Sequence, residues 1–217
     1  MCSNDATIAV MSVELQGSLF TDGEDDFGPL GSTVTRRTLT CGAWVDVRPG
    51  WASTMDLFDR LVTDVDWRAE RRQMYDRVVD VPRLVRFYTE HESWPEARLR
   101  EAKSALDVHY RAELGEPFAT AGLCYYRDGS DSVAWHGDNL GRSATEDTMV
   151  AIVSLGATRQ LMLRPRGGGA SLKFTLGHGD LIVMGGSCQR TWEHAVPKSA
   201  RATGPRVSVQ FRPRGVR

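Results

Sequence analysis

The feature that most limits how this chain can fold is a change of rhythm at Phe118. From there on, eight short segments follow one another: GLCYYR, VAWHGD, MVAIVSL, RQLMLRP, SLKFTL, DLIVMG, TWEHAV and RVSVQFR. They are rich in β-branched and aromatic residues and are separated by turns that mostly contain glycine, the pattern of short strands. The GGG at 167–169 reads as a hairpin tip. Upstream, STMDLFDRLVTDV places Met55, Phe58, Leu61, Val62 and Val65 at helical spacing behind a Ser/Thr cap. A second helix opens near Pro95, puts Leu99, Ala102, Leu106 and Tyr110 on one face, and stops at Gly115. TVTRRTLTCGAWVDV, from Thr33 to Val47, alternates well enough for one or two further strands. Eight strands preceded by two helices suit an α+β fold, a jelly-roll core flanked by N-terminal helices. Residues 1–30, with TDGEDDFGPLG, read as an N-terminal extension in which Leu19 and Phe20 could dock, and 31–217 as one domain.

The chain has 217 residues, 41% of them hydrophobic, which suits one compact domain. No stretch reaches the roughly 20 apolar residues of a membrane span. The N-terminal segment lacks a basic run before an apolar core, which argues against secretion. Cys2, Cys41, Cys124 and Cys188 are scattered without CxxC spacing, so reduced thiols in a cytoplasmic protein are expected. The net charge of −1 is low for a protein that grips phosphates. Basic residues cluster only locally, in RAERRQ at 68–73, at Arg83 with Arg86, and in RPRGVR.

The chemistry concentrates in HGD…H. If WHGD is extended, His136 and Asp138, two apart, point to the same side and can reach one metal. His194 in TWEHAVP would close the site from a distant strand of the same sheet. Two imidazoles and one carboxylate on one face of a ferrous ion leave three positions for a chelating co-substrate and dioxygen. A strand RVSVQFR follows, with residues 206, 208, 210 and 212 on one face. A guanidinium on that face could grip a carboxylate in a bidentate pair. No catalytic residue beyond the metal centre is required.

The ordered set LCYYRDGSDSVAWHGD, SLGATRQLMLRP, GHGDLIVMGG and TWEHAVPKSARATGPRVSVQFR resembles the AlkB branch (bacterial alkylated nucleic-acid repair) of the Fe(II)- and 2-oxoglutarate-dependent dioxygenases. The resemblance runs from about Trp44 to Arg212. It implies a double-stranded β-helix and the oxidative removal of alkyl groups from nucleobase nitrogens, with release of aldehyde, succinate and CO2. Fe(II), 2-oxoglutarate and O2 are the implied cofactor and co-substrates. It further implies that Arg212 holds the distal carboxylate of 2-oxoglutarate, with Tyr126 beside it, while Arg206 lies nearer the metal. Two positions depart from the family pattern. Cys124 and Ser208 stand where asparagines are usual, and a thiol is a weak donor, so one amide contact to the co-substrate is lost or supplied from elsewhere.

The segment WRAERRQMYDRVVDVPRLVRFYTE resembles the family's nucleotide-recognition lid. An enzyme that oxidises a substituent on a base must take that base out of the stack. Tyr75, Tyr88 and Trp94 are the candidate aromatic contacts, with the core as their other place, and Arg83, like Arg71, Arg72 and Arg86, either meets phosphates or forms a solvated face. Trp135 and Trp192 flank ligands and are expected to face away. The implied partner is alkylated DNA, single- or double-stranded, or RNA, met by a monomer with no membrane. The near-neutral charge leaves a second reading open, the same oxygenase chemistry on a protein side chain or small metabolite.

Overall fold

The computed structural model describes residues 27–53, 55–74, 77–201 and 204–216. Its elements in chain order are β1 (Thr35–Thr38), β2 (Ala43–Arg48), α1 (Met55–Asp64), β3 (Arg68–Met74), β4 (Arg77–Tyr88) and α2 (Ala97–Leu114). They continue with β5 (Phe118–Tyr126), β6 (Val133–His136), β7 (Val150–Gly156), β8 (Arg159–Pro165), β9 (Leu172–Leu176) and β10 (Asp180–Gly186). The last three are α3 (Cys188–Thr191), β11 (Trp192–Val196) and β12 (Arg206–Pro213). Each of the eight segments expected after Phe118 forms a strand. The expected strand region near Thr33–Val47 is the hairpin β1–β2, antiparallel with Thr35 opposite Val47.

The strands form an eight-stranded sheet, β1-β2-β10-β7-β12-β5-β4-β3, and a four-stranded sheet, β6-β11-β8-β9. The eight strands from β5 to β12 divide four and four between the two sheets, the jelly-roll arrangement. The hairpins β1–β2 and β3–β4 extend opposite edges of the larger sheet.

Strand alternation sorts side chains into two cores. On β12, Val207, Val209 and Phe211 join one cluster with Leu57, Leu61, Leu99, Leu106 and Tyr110 of the helices. On β10, Leu181 and Val183 face this helix side, whereas Ile182 and Met184 join the second cluster between the sheets, with Leu161, Leu163 and Leu176. A period-2 pattern buried on both faces is what a sheet packed on helices and on a second sheet requires.

Helix α2 buries Leu99, Ala102, Leu106 and Tyr110, as its spacing predicts, and ends at Gly115, whose φ of 75° suits a residue without a Cβ. Helix α1 buries Leu57 and Leu61 deeply, with Phe58 and Val62 packed at its margin, and Val65, just past its end, is buried with them. Leu57 is an addition to the expected stripe. Met55's side chain lies outside the described residues, as do Leu19, Phe20 and Cys2. Phe27 and Leu30, on the extension side of the expected boundary, pack against this core, Phe27 with its ring centroid 4.9 Å from that of Trp51. The turn between β8 and β9 holds Gly167, Gly168 and Gly169, all at positive φ, so the GGG tip forms where its backbone freedom is needed. Among the described residues no helix is long and apolar enough to cross a membrane, and Cys41, Cys124 and Cys188 are free thiols.

Candidate metal centre and co-substrate pocket

His136 closes β6 and His194 sits in β11, directly opposite it in the antiparallel register. The small sheet thus places two imidazoles side by side, ring centroids 4.2 Å apart. Asp138 follows just beyond the end of β6, and its Oδ1 lies 3.8 Å from His136 Nε2. One ligand atom from each of the three residues lies within 4.8 Å of the others. Two imidazole nitrogens and one carboxylate oxygen at that separation suit a single ferrous ion with open positions.

The surroundings set each ligand's state. His136 Nδ1 is 2.9 Å from the Ala134 carbonyl, so Nδ1–H donates there and Nε2 is left to bind metal. Burial, with His136 next, lowers the pKa of His194 to about 3, which keeps its imidazole neutral. Burial alone would raise the carboxyl of Asp138, but Arg212 and the two histidines outweigh it and hold it well below the usual carboxylate range. Arg212 donates through Nε and Nη2 to the same oxygen, Oδ2, at 2.9 and 2.7 Å. Oδ1 remains on the histidine side.

Two residues outside the sequence reading pin the backbone of Asp138. Gln189 of α3 accepts the Asp138 N–H at 3.1 Å, and the buried Ser143 hydroxyl donates to the Asp138 carbonyl. Neither lies in a motif. The turn after HGD, folded back on itself, brings Ser143 there, and α3, packed against that turn, brings Gln189.

The two arginines of β12 exchange their expected places. Arg212 was expected at the far end of the co-substrate, but it lies against the aspartate ligand. Arg206 was expected near the metal, but it lies deeper, its guanidinium carbon 5.3 Å from the centre of the Tyr126 ring and its Nε donating to Ser154 Oγ at 2.9 Å. The reason is the strand direction. Register pairs Arg206 with Tyr126 and Arg212 with Thr120, at opposite ends of β5. Arg206 is 2% exposed, and among the described residues its Nη1 has no partner. Burial lowers its pKa. A buried cationic donor left unpaired is costly, and an incoming carboxylate would satisfy it. Burial chiefly pushes Tyr126 up to about 12, so its hydroxyl stays protonated.

Cys124 and Ser208 face each other on β5 and β12. Gln210 Nε2 lies 3.2 Å from Ser208 Oγ and 3.5 Å from Cys124 Sγ. An amide is therefore present at this wall, one position pair further along β12 than the pattern suggested. Arg83 of β4 donates from Nε to Cys124 Sγ at 3.4 Å, so it joins the pocket and not an outer phosphate-binding face.

Two of the three expected aromatic contacts, Tyr88 and Trp94, do not line the site. Tyr88 and Trp94 are buried on the other face of the large sheet, in the helix-side core, where Trp94 lies 6.0 Å from Phe211 and donates to the Thr89 carbonyl. Period 2 puts Tyr88 on that face and its neighbour Phe87 on the site side. Tyr75 lies outside the described residues. Phe87 is 40% exposed and sits opposite Gly122 of β5. Its signal in the sequence was alternation with Arg83 and Val85. Trp135 does face outward, under the Arg164 guanidinium. Trp192 does not. It stands two residues before His194, shares its face, and packs in the inter-sheet core.

Residues 48–212 match the 2OG-Fe(II) oxygenase superfamily. The alpha-ketoglutarate-dependent dioxygenase alkB homolog 3 of Homo sapiens is 30% identical over 208 residues, covering 84% of this chain and 68% of its own. Its Bos taurus counterpart is 29% identical over 202 residues with the same coverages. The DNA oxidative demethylase ALKBH2 of Arabidopsis thaliana is 33% identical over 133 residues, 51% of this chain and 42% of its own. The solved structure of OsALKBH1 superposes with a TM-score of 0.58 at 15% identity, over 82% of this chain and all of that one, a likeness of fold. With a matched family, a His-Asp-His centre and, deeper in the pocket, a buried arginine whose Nη1 has no partner among the described residues, this chain belongs to the 2OG-Fe(II) oxygenase superfamily, in its AlkB-like group, and is a dioxygenase that uses Fe(II), 2-oxoglutarate and O2.

Proposed function

We propose that residues 31–217 form a dioxygenase domain that removes alkyl groups from ring nitrogens of nucleobases in DNA or RNA, with lesions such as 1-methyladenine and 3-methylcytosine as substrates. The observation that carries this reading is the edge hairpin β3–β4. It extends the large sheet beyond β5, sets Arg83 against Cys124 of the pocket and leaves Phe87, opposite Gly122, exposed. The relatives' names, alkB homolog 3 and DNA oxidative demethylase, support it.

Bound iron, with 2-oxoglutarate and O2, supplies the oxidising power. The chain's own residues do the rest. His136, Asp138 and His194 would hold the ion. Arg206 and the Tyr126 hydroxyl receive the distal carboxylate of the co-substrate through the unpaired Nη1 and a protonated phenol. Arg212 keeps Asp138 ionised and turned. Ser208, Cys124 and Gln210 form the wall between the two arginines. Phe87 offers a flat apolar face to a base swung out of its stack.

The test is formaldehyde and succinate release from methylated single-stranded DNA, duplex DNA and RNA, with iron and 2-oxoglutarate supplied. Turnover on one or more of them is expected. If none is turned over while 2-oxoglutarate is still consumed, the nucleic-acid reading fails. The net charge of −1 favours the second reading in that event, the same chemistry on a protein side chain or small metabolite. Binding to single-stranded DNA that weakens steeply with salt supports the first.

A further inference from the structure

Three guanidiniums gather around Tyr126, and they are not equivalent. Arg159 has its guanidinium carbon 5.4 Å from the ring centre but spends its terminal nitrogens on the carbonyls of Asp128, Asp131 and Pro197. It is part of the frame. Arg206, on the far side of β5, keeps Nη1 unpaired. Arg83 comes from β4, on the near side. The β4–β5 register sets Leu84 against Tyr125 and Val85 against Cys124. One step further, Arg83 reaches the Tyr126 end of the same face. A cross-strand row results, Arg83, Tyr126 and Arg206, with the tyrosine between two cations.

Among the described residues, the acceptor that fixes Arg83 Nε there is a sulfur, 3.4 Å away. A thiol is a soft, weak acceptor and little compensation for a half-buried guanidinium. Burial opposes its charged form, but Cys124 and Tyr126, and more weakly Glu70 on β3, raise its pKa on balance, so it is cationic at any working pH. Its charge also bears on His194, which places it within electrostatic reach of the metal centre. A carboxylate in this row would meet two charge-assisted donors in place of one.

We propose that Arg83 serves the co-substrate: from β4 its guanidinium supplies the strong N–H donor that Cys124 cannot supply from β5, and the sulfur orients it. The proposal rests on the reading of this pocket as the 2-oxoglutarate site. Cys124 and Arg83 then form a compensating pair, a weak donor on one strand made good by a strong one on the next.

The test is 2-oxoglutarate binding by titration calorimetry, without oxygen and with Mn(II) in place of iron, on the whole chain. Wild type is compared with Arg83→Ala, Arg83→Lys, Cys124→Asn and the double variant Arg83→Ala/Cys124→Asn. Arg83→Ala is expected to weaken 2-oxoglutarate about tenfold, the loss of one charge-assisted hydrogen bond. It should leave Mn(II) affinity and affinity for a methylated single-stranded oligonucleotide within about twofold. An asparagine at 124 should recover most of the loss in the double variant. If Arg83→Ala proves unstable in a thermal melt, Arg83→Lys carries the same test, because it keeps the charge and loses the planar fork. Unchanged 2-oxoglutarate affinity in the folded variants, with or without weaker oligonucleotide binding, overturns the proposal. Wild-type protein that takes up Mn(II) but no 2-oxoglutarate overturns the pocket itself, a different failure visible before any variant is made.

Discussion

Arg212 shows how much one side chain can settle. Its Nε and Nη2 converge on Asp138 Oδ2, and Nη2 also reaches Gln210 Oε1 at 2.5 Å. The planar fork keeps the carboxylate ionised and leaves its other oxygen for metal. Space for the fork comes from Gly122, where an added Cβ would lie 2.7 Å from Arg212 Nη1. Replacing Arg212 by Met should lower Co(II) or Fe(II) affinity roughly 10- to 100-fold, as loss of a partner that orients a metal ligand does. Arg212→Lys should not restore it, because one ammonium cannot reproduce the rigid pair of N–H donors that the fork aims at Oδ2. Metal titration of both variants checks this, and wild-type affinity in Arg212→Met would refute the role.

The elements around the site are held by close packing and by a few buried charges. Strand β10 passes under Trp44 at Gly185, where a Cβ would come within 2.1 Å of the indole ring. Gly185→Ala should therefore cost about 1–3 kcal/mol in a denaturant melt. Leu106, fully buried between α2 and the large sheet, should cost about 2–5 kcal/mol when cut to Ala. The loop that delivers β6 is tied by Asp131, whose carboxylate accepts from Arg127 N, Nε and Nη2. The Arg127 side chain, more than offsetting burial, lowers the Asp131 pKa. A lowered folded value means that this contribution to stability is present above the unfolded pKa of about 3.9 and is lost as pH falls through the folded one. Wild type should thus exceed Asp131→Asn in stability at pH 7, with the gap closing below about pH 4. Melts across pH 3–7 read the gap directly, and a constant difference would exclude the ion pair as its source.

On the scale of the whole molecule, the two sheets converge where the ligands sit, so occupancy of the centre should stabilise the entire fold. At a metal concentration about 100 times Kd the gain is about 2.7 kcal/mol, and a chelator should lower the melting temperature accordingly. His136→Ala should abolish the difference between metal-loaded and chelated protein. Much of this was legible beforehand. The eight strands, the buried face of α2 and the ligands His136, Asp138 and His194 are local patterns, because period, glycine placement and donor chemistry are written in neighbouring residues. The roles of Arg206 and Arg212 were not legible. Both lie on one face of one strand, and only the direction of β12 across β5 decides which end meets the metal. The same holds for Tyr88 and Phe87, adjacent aromatics that a single step of strand alternation sends to opposite sides of a sheet. Gln189 carries no signal at all, since its contact forms only when α3 meets the turn after β6, and Ser143, five residues past Asp138, stands outside any motif. Sequence alone determined what kinds of element form and which chemistry they carry. Tertiary structure decided which side chain faces which partner, because facing depends on register and direction between strands far apart in the chain.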